Sequence, residues 1–193
     1  MMEYVVCGID PEKDLPALED RLSRLPEWRR RDSLSFLRPI DRLQSAMAFE
    51  LLAGLLFNCF GIKCDGFRLE YDVAGKPSVS GRKDIYISLA HCRRAVMAVV
   101  SDAPVGCDIE EIHRPYGEDE RMVADHCYSE GERREIVASS DPAMEFTRIW
   151  TIKEALFKLD NTLDIEHLDT TVLFPGQVST IVSSDCVATV ATQ

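Results

Sequence analysis

The chain reads as an α+β protein, and three observations predict it. Two long stretches have helical spacing, one opening at Pro39 and running to about Phe60, the other opening at Asp141-Pro142. Short alternating or β-branched runs surround them, among them Ile85 to Ala90, Ala95 to Val100 and Pro104 to Glu111. The two halves also share an element order: a long helix followed by strands in the first, strands flanking a long helix in the second.

In chain order, Tyr4 to Ile9 reads as a first strand. Asp14 to Leu25 has Leu15, Leu18, Leu22 and Leu25 at helical spacing, with Asp14 as its N-cap. Trp28 to Arg31 is a compact basic cluster, either a solvated turn or a phosphate contact. Pro39 suits a first helical turn and Gly61 a C-cap. The helix between them is apolar over most of its circumference, which predicts a buried central element. Phe67 to Val73 alternates as a strand and ends in the turn Ala74-Gly75-Lys76-Pro77. The strands at 85–90 and 95–100 are separated by His91-Cys92-Arg93-Arg94. After Glu111 comes a polar stretch, then a short helix to about Cys127, then a helix capped by Ser129. From Thr170 onward the tail reads as two or three strands.

The 193 residues suffice for one sizeable core or two small halves, and 46% hydrophobic with 28% charged residues is an ordinary soluble composition. No run of about 18 uncharged apolar residues predicts a membrane span. The N-terminus lacks the features of a signal peptide. Seven cysteines without CxxC or Cys/His spacing predict reduced thiols and a cytoplasmic setting. The net charge of −11 is uneven: −2 over residues 1–60, +3 over 61–100 and −12 over 101–193. No broad basic surface is available, so nucleic acid is not an expected partner. A basic middle segment beside an acidic second half suits a small polyanion held between cationic side chains and a carboxylate-bound metal.

PVGCDIEE, Pro104 to Glu111, puts Asp108 and Glu110 on one face of a strand. Two adjacent carboxylates repel unless a proton or cation sits between them, and a hard cation such as Mg²⁺ or Ca²⁺ fits all-oxygen ligands. A solvated strand edge is the plain alternative. In the last long helix Glu154 lies beside the stripe of Phe146, Trp150 and Phe157, where an ionised carboxylate needs a partner. Lys158, one turn on, supplies one within the helix. Otherwise Asp108, Glu110 and Glu154 together make a three-carboxylate site beside Lys153 and Lys158, suited to phosphoryl or pyrophosphate chemistry.

Four blocks resemble the 4′-phosphopantetheinyl transferases of the surfactin-synthetase-activating type, in that family's order: Gly75-Lys76-Pro77, Ser88 to His91, Pro104 to Ile112, and Trp150 to Ala155 followed by Lys158. The similarity covers most of residues 36–163. It implies two similar α+β halves, each a long helix on a small, mainly antiparallel sheet, with the active site in the cleft between them. The first half, 1–101, would contact coenzyme A, and the second, 102–193, would carry the metal and the catalytic carboxylates. The implied reaction moves phosphopantetheine from coenzyme A to a serine of an acyl or peptidyl carrier protein, in fatty-acid, polyketide or peptide synthesis, and releases adenosine 3′,5′-bisphosphate.

By matching position, Asp108, Glu110 and Glu154 would hold Mg²⁺, and Glu154 would activate the serine. Lys158 and Lys153 would neutralise the pyrophosphate, while Lys76 and His91 would contact the nucleotide. The family commonly has an arginine near Gln44, which brings in Arg38 or Arg42 as substitutes, and Ser45 as a neighbouring contact. Ala90 stands where the family usually has a hydroxyl residue. These departures sustain a rival reading, a catalytically weak module that binds coenzyme A or a carrier; a calcium-stabilised structural protein is a third. The two-half architecture would need no partner to complete a site, so a monomer is expected, and the lack of a long apolar run makes a membrane an unexpected partner.

Overall fold

The computed structural model describes residues 1–173 and 176–193. Its contacts divide the chain into two compact units, Met1–Ala103 and Pro104–Gln193.

The first unit begins with β1 (Met2–Gly8). The expected 14–25 helix is instead two short ones, α1 (Pro11–Asp14) and α2 (Leu18–Arg24). Pro16 explains the break, since a proline inside a helix removes a hydrogen bond and crowds the preceding turn. The α1 cap is therefore Asp10, and Asp14 ends that helix, its carboxylate accepting from the Asp10 amide. The basic cluster lies within α3 (Glu27–Leu34), not in a turn. Arg29 turns inward there, over the ring of Phe49, which itself packs edge-on to Trp28.

The long helix α4 (Pro39–Phe60) stops at Gly61, whose φ of 67° is the left-handed cap a glycine supplies without strain. By length and composition α4 could cross a membrane. Here Leu43, Phe49, Leu52 and Leu56 are fully enclosed in the core of this unit, with Ile87, Val96, Ala98 and Val100 from the sheet. That sheet is antiparallel, with β5 (Ala95–Ser101) between β1 and β4 (Tyr86–Cys92). A hairpin, β2 (Leu69–Tyr71) and β3 (Pro77–Val79), lies between α4 and the last two strands of that sheet in the chain, with a shorter first strand than expected. Its turn is set by Asp72, whose Oδ1 accepts from the amides of Ala74 and Lys76, and by Gly75 at φ 81°. The strands β4 and β5 meet at Arg93-Arg94. His91 and Cys92 are thus the end of β4, not part of a connection, and His91 pairs with Val96.

The second unit begins with β6 (Val105–Glu111) and continues through α5 (Glu118–Cys127), α6 (Glu130–Ala138) and α7 (Pro142–Leu159). A short 3-10 helix (Thr170–Val172), β7 (Val178–Val182) and β8 (Cys186–Thr192) complete it. Phe174 and Pro175, inside the tail expected to form strands, lie outside the described residues. The sheet is antiparallel, β6-β8-β7, and α7 packs across it. Ser129 caps α6 as the sequence predicts, and α7 opens at Asp141-Pro142 as expected, with Asp141 as its cap. Val105 to Ile109 are all buried, so β6 has no solvated face.

The α7–β6 contact is the tightest feature of this unit. A Cβ placed on Gly106 would overlap the Ala155 carbonyl oxygen and the Leu159 amide nitrogen, and sit 2.9 Å from the Lys158 carbonyl carbon. Backbone meets backbone there, which only glycine permits. The neighbouring polar contact is a threonine chain: Thr189 of β8 bonds Thr151 of α7 at 2.9 Å and Thr180 of β7 at 3.0 Å.

Gly106→Ala should lower stability by about 3 kcal/mol or more, because helix and strand must separate to admit the methyl group. Gly54→Ala, in α4 with open space around the new Cβ, should instead stabilise by about 0.5–1 kcal/mol. Chemical denaturation of both variants checks the contrast.

Candidate functional site

The period of β6 directs Gly106, Asp108 and Glu110 to the face that α7 covers. The close approach at Gly106 lets one turn of α7 reach that face. Lys158 Nζ donates to Asp108 Oδ1 at 2.6 Å, while Asp108 is only 4% exposed. Lys158 thus reaches across to the strand, and its ionic partner is Asp108 rather than Glu154 one turn back.

Three carboxylates share this corner electrostatically. Glu110 is pushed up to about 7, first by burial and then by the negative charge of Asp108; Lys158 opposes the rise, and Glu154 and Glu111 add to it. Glu154 is raised as well, by burial and by Asp108, again against Lys158. Burial disfavours the charged form of Lys158, yet its affinity for a proton still goes up, because Asp108, Cys107 and Glu154 outweigh that loss. The corner therefore holds more negative charge than its one lysine offsets. Among the described residues, no three His, Cys, Asp or Glu side chains are gathered into a ready coordination sphere. Asp108 and Glu110 share a face of β6 and Glu154 shares their field, and the donor set is all oxygen, which is the chemistry a hard cation selects.

Lys153 is not brought to this corner. It is fully enclosed on the other side of α7, where Nζ lies 3.0 Å from Glu132 Oε2 and bonds the Leu168 carbonyl. The Tyr128 ring lies 5.4 Å beneath it. Glu132 is equally enclosed: it accepts from the Ser129 amide at 2.7 Å and the Thr170 amide at 2.8 Å. The expected contact of Lys153 with a pyrophosphate is replaced by a buried ion pair joining α6, α7 and the 165–170 segment. Desolvation explains why neither partner stands alone: each buried charge costs several kcal/mol unless paired and hydrogen-bonded. The Ser129 and Glu132 capping box is readable in the sequence, but the pairing of Glu132 with Lys153 is not.

In the first unit, Ser45 is also withdrawn from the expected ligand contact. It is buried in α4, accepts from Arg29 Nη2 at 2.7 Å and bonds Ser33 at 3.0 Å. Gln44 is buried too, donating to the Cys92 carbonyl at 2.7 Å. Arg42 donates to the Phe36 carbonyl at 2.8 Å, holding the turn before α4. Arg38, Gln44 and His91 line a cavity of about 470 Å³, with Asp41 and Arg93. Lys76 lines a larger one of about 820 Å³, together with Arg82, Lys83 and Tyr86. Ala90 is buried in β4, paired with Met97.

Comparison with known proteins points the same way as the motifs. Residues 104–176 match the sequence model of the 4′-phosphopantetheinyl transferase superfamily. The resemblance holds. The matched segment starts where the second unit starts and contains Asp108, Glu110, Glu154 and Lys158. The chain is 28% identical over 122 residues to the 4′-phosphopantetheinyl transferase psf-1 of Bacillus pumilus, covering 62% of this chain and 51% of that protein. It is 37% identical over 91 residues to the 4′-phosphopantetheinyl transferase AcpT of Salmonella typhimurium, 46% of each chain. To the 4′-phosphopantetheinyl transferase gsp of Aneurinibacillus migulanus it is 24% identical over 160 residues, 82% of this chain and 65% of that one. The chain thus spans about half the length of the first two of these relatives.

The raised Glu110 has a consequence for stability. Between its ordinary 4.5 and about 7, the folded protein keeps a proton that the unfolded chain has released. Stability contributed by this group therefore falls as pH rises through that window. Melting temperatures across it should fall less steeply for Glu110→Gln than for the wild type. Lys153→Met should cost about 3–5 kcal/mol by leaving Glu132 buried and unpaired, and Lys153→Met with Glu132→Gln should recover part of that loss. Denaturant melts of the two proteins measure it.

Proposed function

We propose that the protein transfers the 4′-phosphopantetheine group of coenzyme A to a serine of an acyl or peptidyl carrier protein, with Mg²⁺, and releases adenosine 3′,5′-bisphosphate. What supports this reading is the Lys158–Asp108 bond at the β6–α7 contact and the electrostatic coupling of Glu110 to Asp108, Glu154 and Lys158, inside the segment that matches the superfamily. Asp108, Glu110 and Glu154 are the residues that would hold the metal. When bound, the cation supplies positive charge to the pyrophosphate and to the departing phosphate.

The residues of the chain do the rest. Glu154, whose hold on a proton is strengthened by its surroundings, accepts the proton of the attacking serine hydroxyl. The serine oxygen bonds to the β-phosphorus. The bond from that phosphorus to the bridging oxygen breaks, and adenosine 3′,5′-bisphosphate leaves with the electron pair. Lys158, 30% exposed and held by Asp108, presents its ammonium to the charge that develops on the leaving group. Lys76 and His91 belong to the proposal as contacts of the nucleotide, with Arg38 and Arg42 as the available cations near Gln44. Ser45 and Lys153 drop out of it, since both are committed to buried partners. The two units are proposed to be versions of one design, each a long helix on a three-stranded antiparallel sheet. A cytoplasmic setting and a monomeric state complete the reading.

The test is intact-protein mass spectrometry of apo carrier proteins incubated with the protein, coenzyme A and Mg²⁺. A mass gain of one phosphopantetheine, abolished by EDTA, is the expected result. Asp108→Ala and Glu154→Ala should lose transfer by about a thousandfold or more while melting cooperatively. No gain on any carrier, with coenzyme A still bound in a calorimeter, would replace the transferase with a binding module.

A further inference from the structure

The proposal concerns the partner that docks on the second unit, and it builds on the transferase reading. Residues 104–193 hold 7 Lys and Arg against 18 Asp and Glu, a net charge of −11 that equals that of the whole chain. The few cations are mostly spent internally. Lys153 pairs with Glu132, Lys158 with Asp108, Arg114 with Asp141, and Arg148 with Glu145 and Glu135. Arg133 donates to the Tyr128 carbonyl, and Arg121 lies over the Tyr116 ring. Little positive charge remains to soften the acidic surface.

Within that surface lies an apolar groove. A cavity of about 290 Å³ is lined by Val123, Phe146 and Trp150 together with Glu111, Asp119, Glu120 and His113. Glu110, one of the three candidate metal carboxylates, lines it too, so the groove adjoins the reacting corner. The helix α5 extends it outward. Asp119, Met122, Val123 and His126 fall on one face of that helix at spacings of three and four. Met122 is 59% exposed and Val123 38%, with Glu118 and Asp125 exposed beside them. Exposed apolar side chains among four carboxylates, with Arg121 drawn over the Tyr116 ring, define a docking surface for an amphipathic segment of the opposite sign.

We propose that this groove and the outer face of α5 dock a basic amphipathic helix of the carrier protein. Its apolar residues would cover Met122 and Val123, and its lysines or arginines would lie over Glu118, Asp119 and Asp125. The substrate class is thereby narrowed to carriers whose surface beside the modified serine is basic. Acidic carriers meet like charge on the same face and dock poorly.

A matched pair of full-length apo carriers tests this, differing only in whether four positions of the helix beside the serine are glutamate or lysine. Binding to the intact protein is read by fluorescence anisotropy and transfer by intact mass. The lysine carrier should bind about tenfold or more tighter at low salt, an advantage that shrinks as salt rises. In the triple variant Glu118→Lys, Asp119→Lys, Asp125→Lys the order of the two carriers should invert. Met122→Asp, at an exposed position, should weaken both carriers without changing the melting temperature. Equal or tighter binding of the glutamate carrier, or a triple variant that keeps the original order, overturns the proposal. Preference for the lysine carrier in binding with no transfer to either would uphold this docking surface and remove the transferase reading. Transfer to both carriers without charge preference would do the reverse.

Discussion

The second unit depends on the approach of α7 to β6 at Gly106. No side chain separates the two backbones there, so the helix lies lower on the sheet than any residue with a Cβ would allow. Everything chemical in the unit follows from that height. Asp108 and Glu110 sit two and four residues further along the same face of β6, and Glu154 and Lys158 flank the contact on α7. A helix displaced by the thickness of a methyl group would lengthen each of these separations, and the Asp108–Lys158 bond of 2.6 Å would be the first to suffer.

Two ion pairs on α7 show how one helix divides structural from chemical work. Lys153 and Glu132 are both wholly enclosed, and every polar atom named on them meets a partner: two carbonyls, two amides and each other. Such a pair orders its surroundings and is closed to ligands. Lys158 and Asp108, five residues further along the helix, are unequal: the aspartate is buried, but the lysine keeps 30% of its side chain exposed. Burial and, after it, the acidic field around the pair push Glu110 up to about 7. The first pair staples the unit; the second is placed to meet an anion.

Much of this was legible in the residues, for identifiable reasons. The long helices announced themselves by apolar spacing, by Pro39 and Asp141-Pro142 at their starts, and by Gly61 at the end of the first. Asp108 and Glu110 were readable as neighbours on one strand face, while the residues alone left Glu154 open between that set and a pair with Lys158. What escaped was long-range. Nothing local says that Lys153 points toward Glu132, 21 positions away, rather than toward Glu154 beside it, because α7 is covered on more than one side. Ser45 entered through the resemblance, and nothing local shows that Arg29, 16 positions away, claims its hydroxyl. The helix expected over 14–25 failed at Pro16, whose breaking effect the leucine spacing concealed. Gly106 carried its own signal, a glycine inside a strand, which marks a close backbone approach.

The most direct test of the central claim is metal binding at the β6–α7 corner, measured without turnover. Mn²⁺ titrated into the protein with coenzyme A present, and followed by electron paramagnetic resonance, reports a bound ion whether or not a carrier is modified. The account predicts one site, weakened by about tenfold or more in each of Asp108→Asn, Glu110→Gln and Glu154→Gln. Binding that survives all three substitutions unchanged would contradict it, because the ion would then be held by other groups.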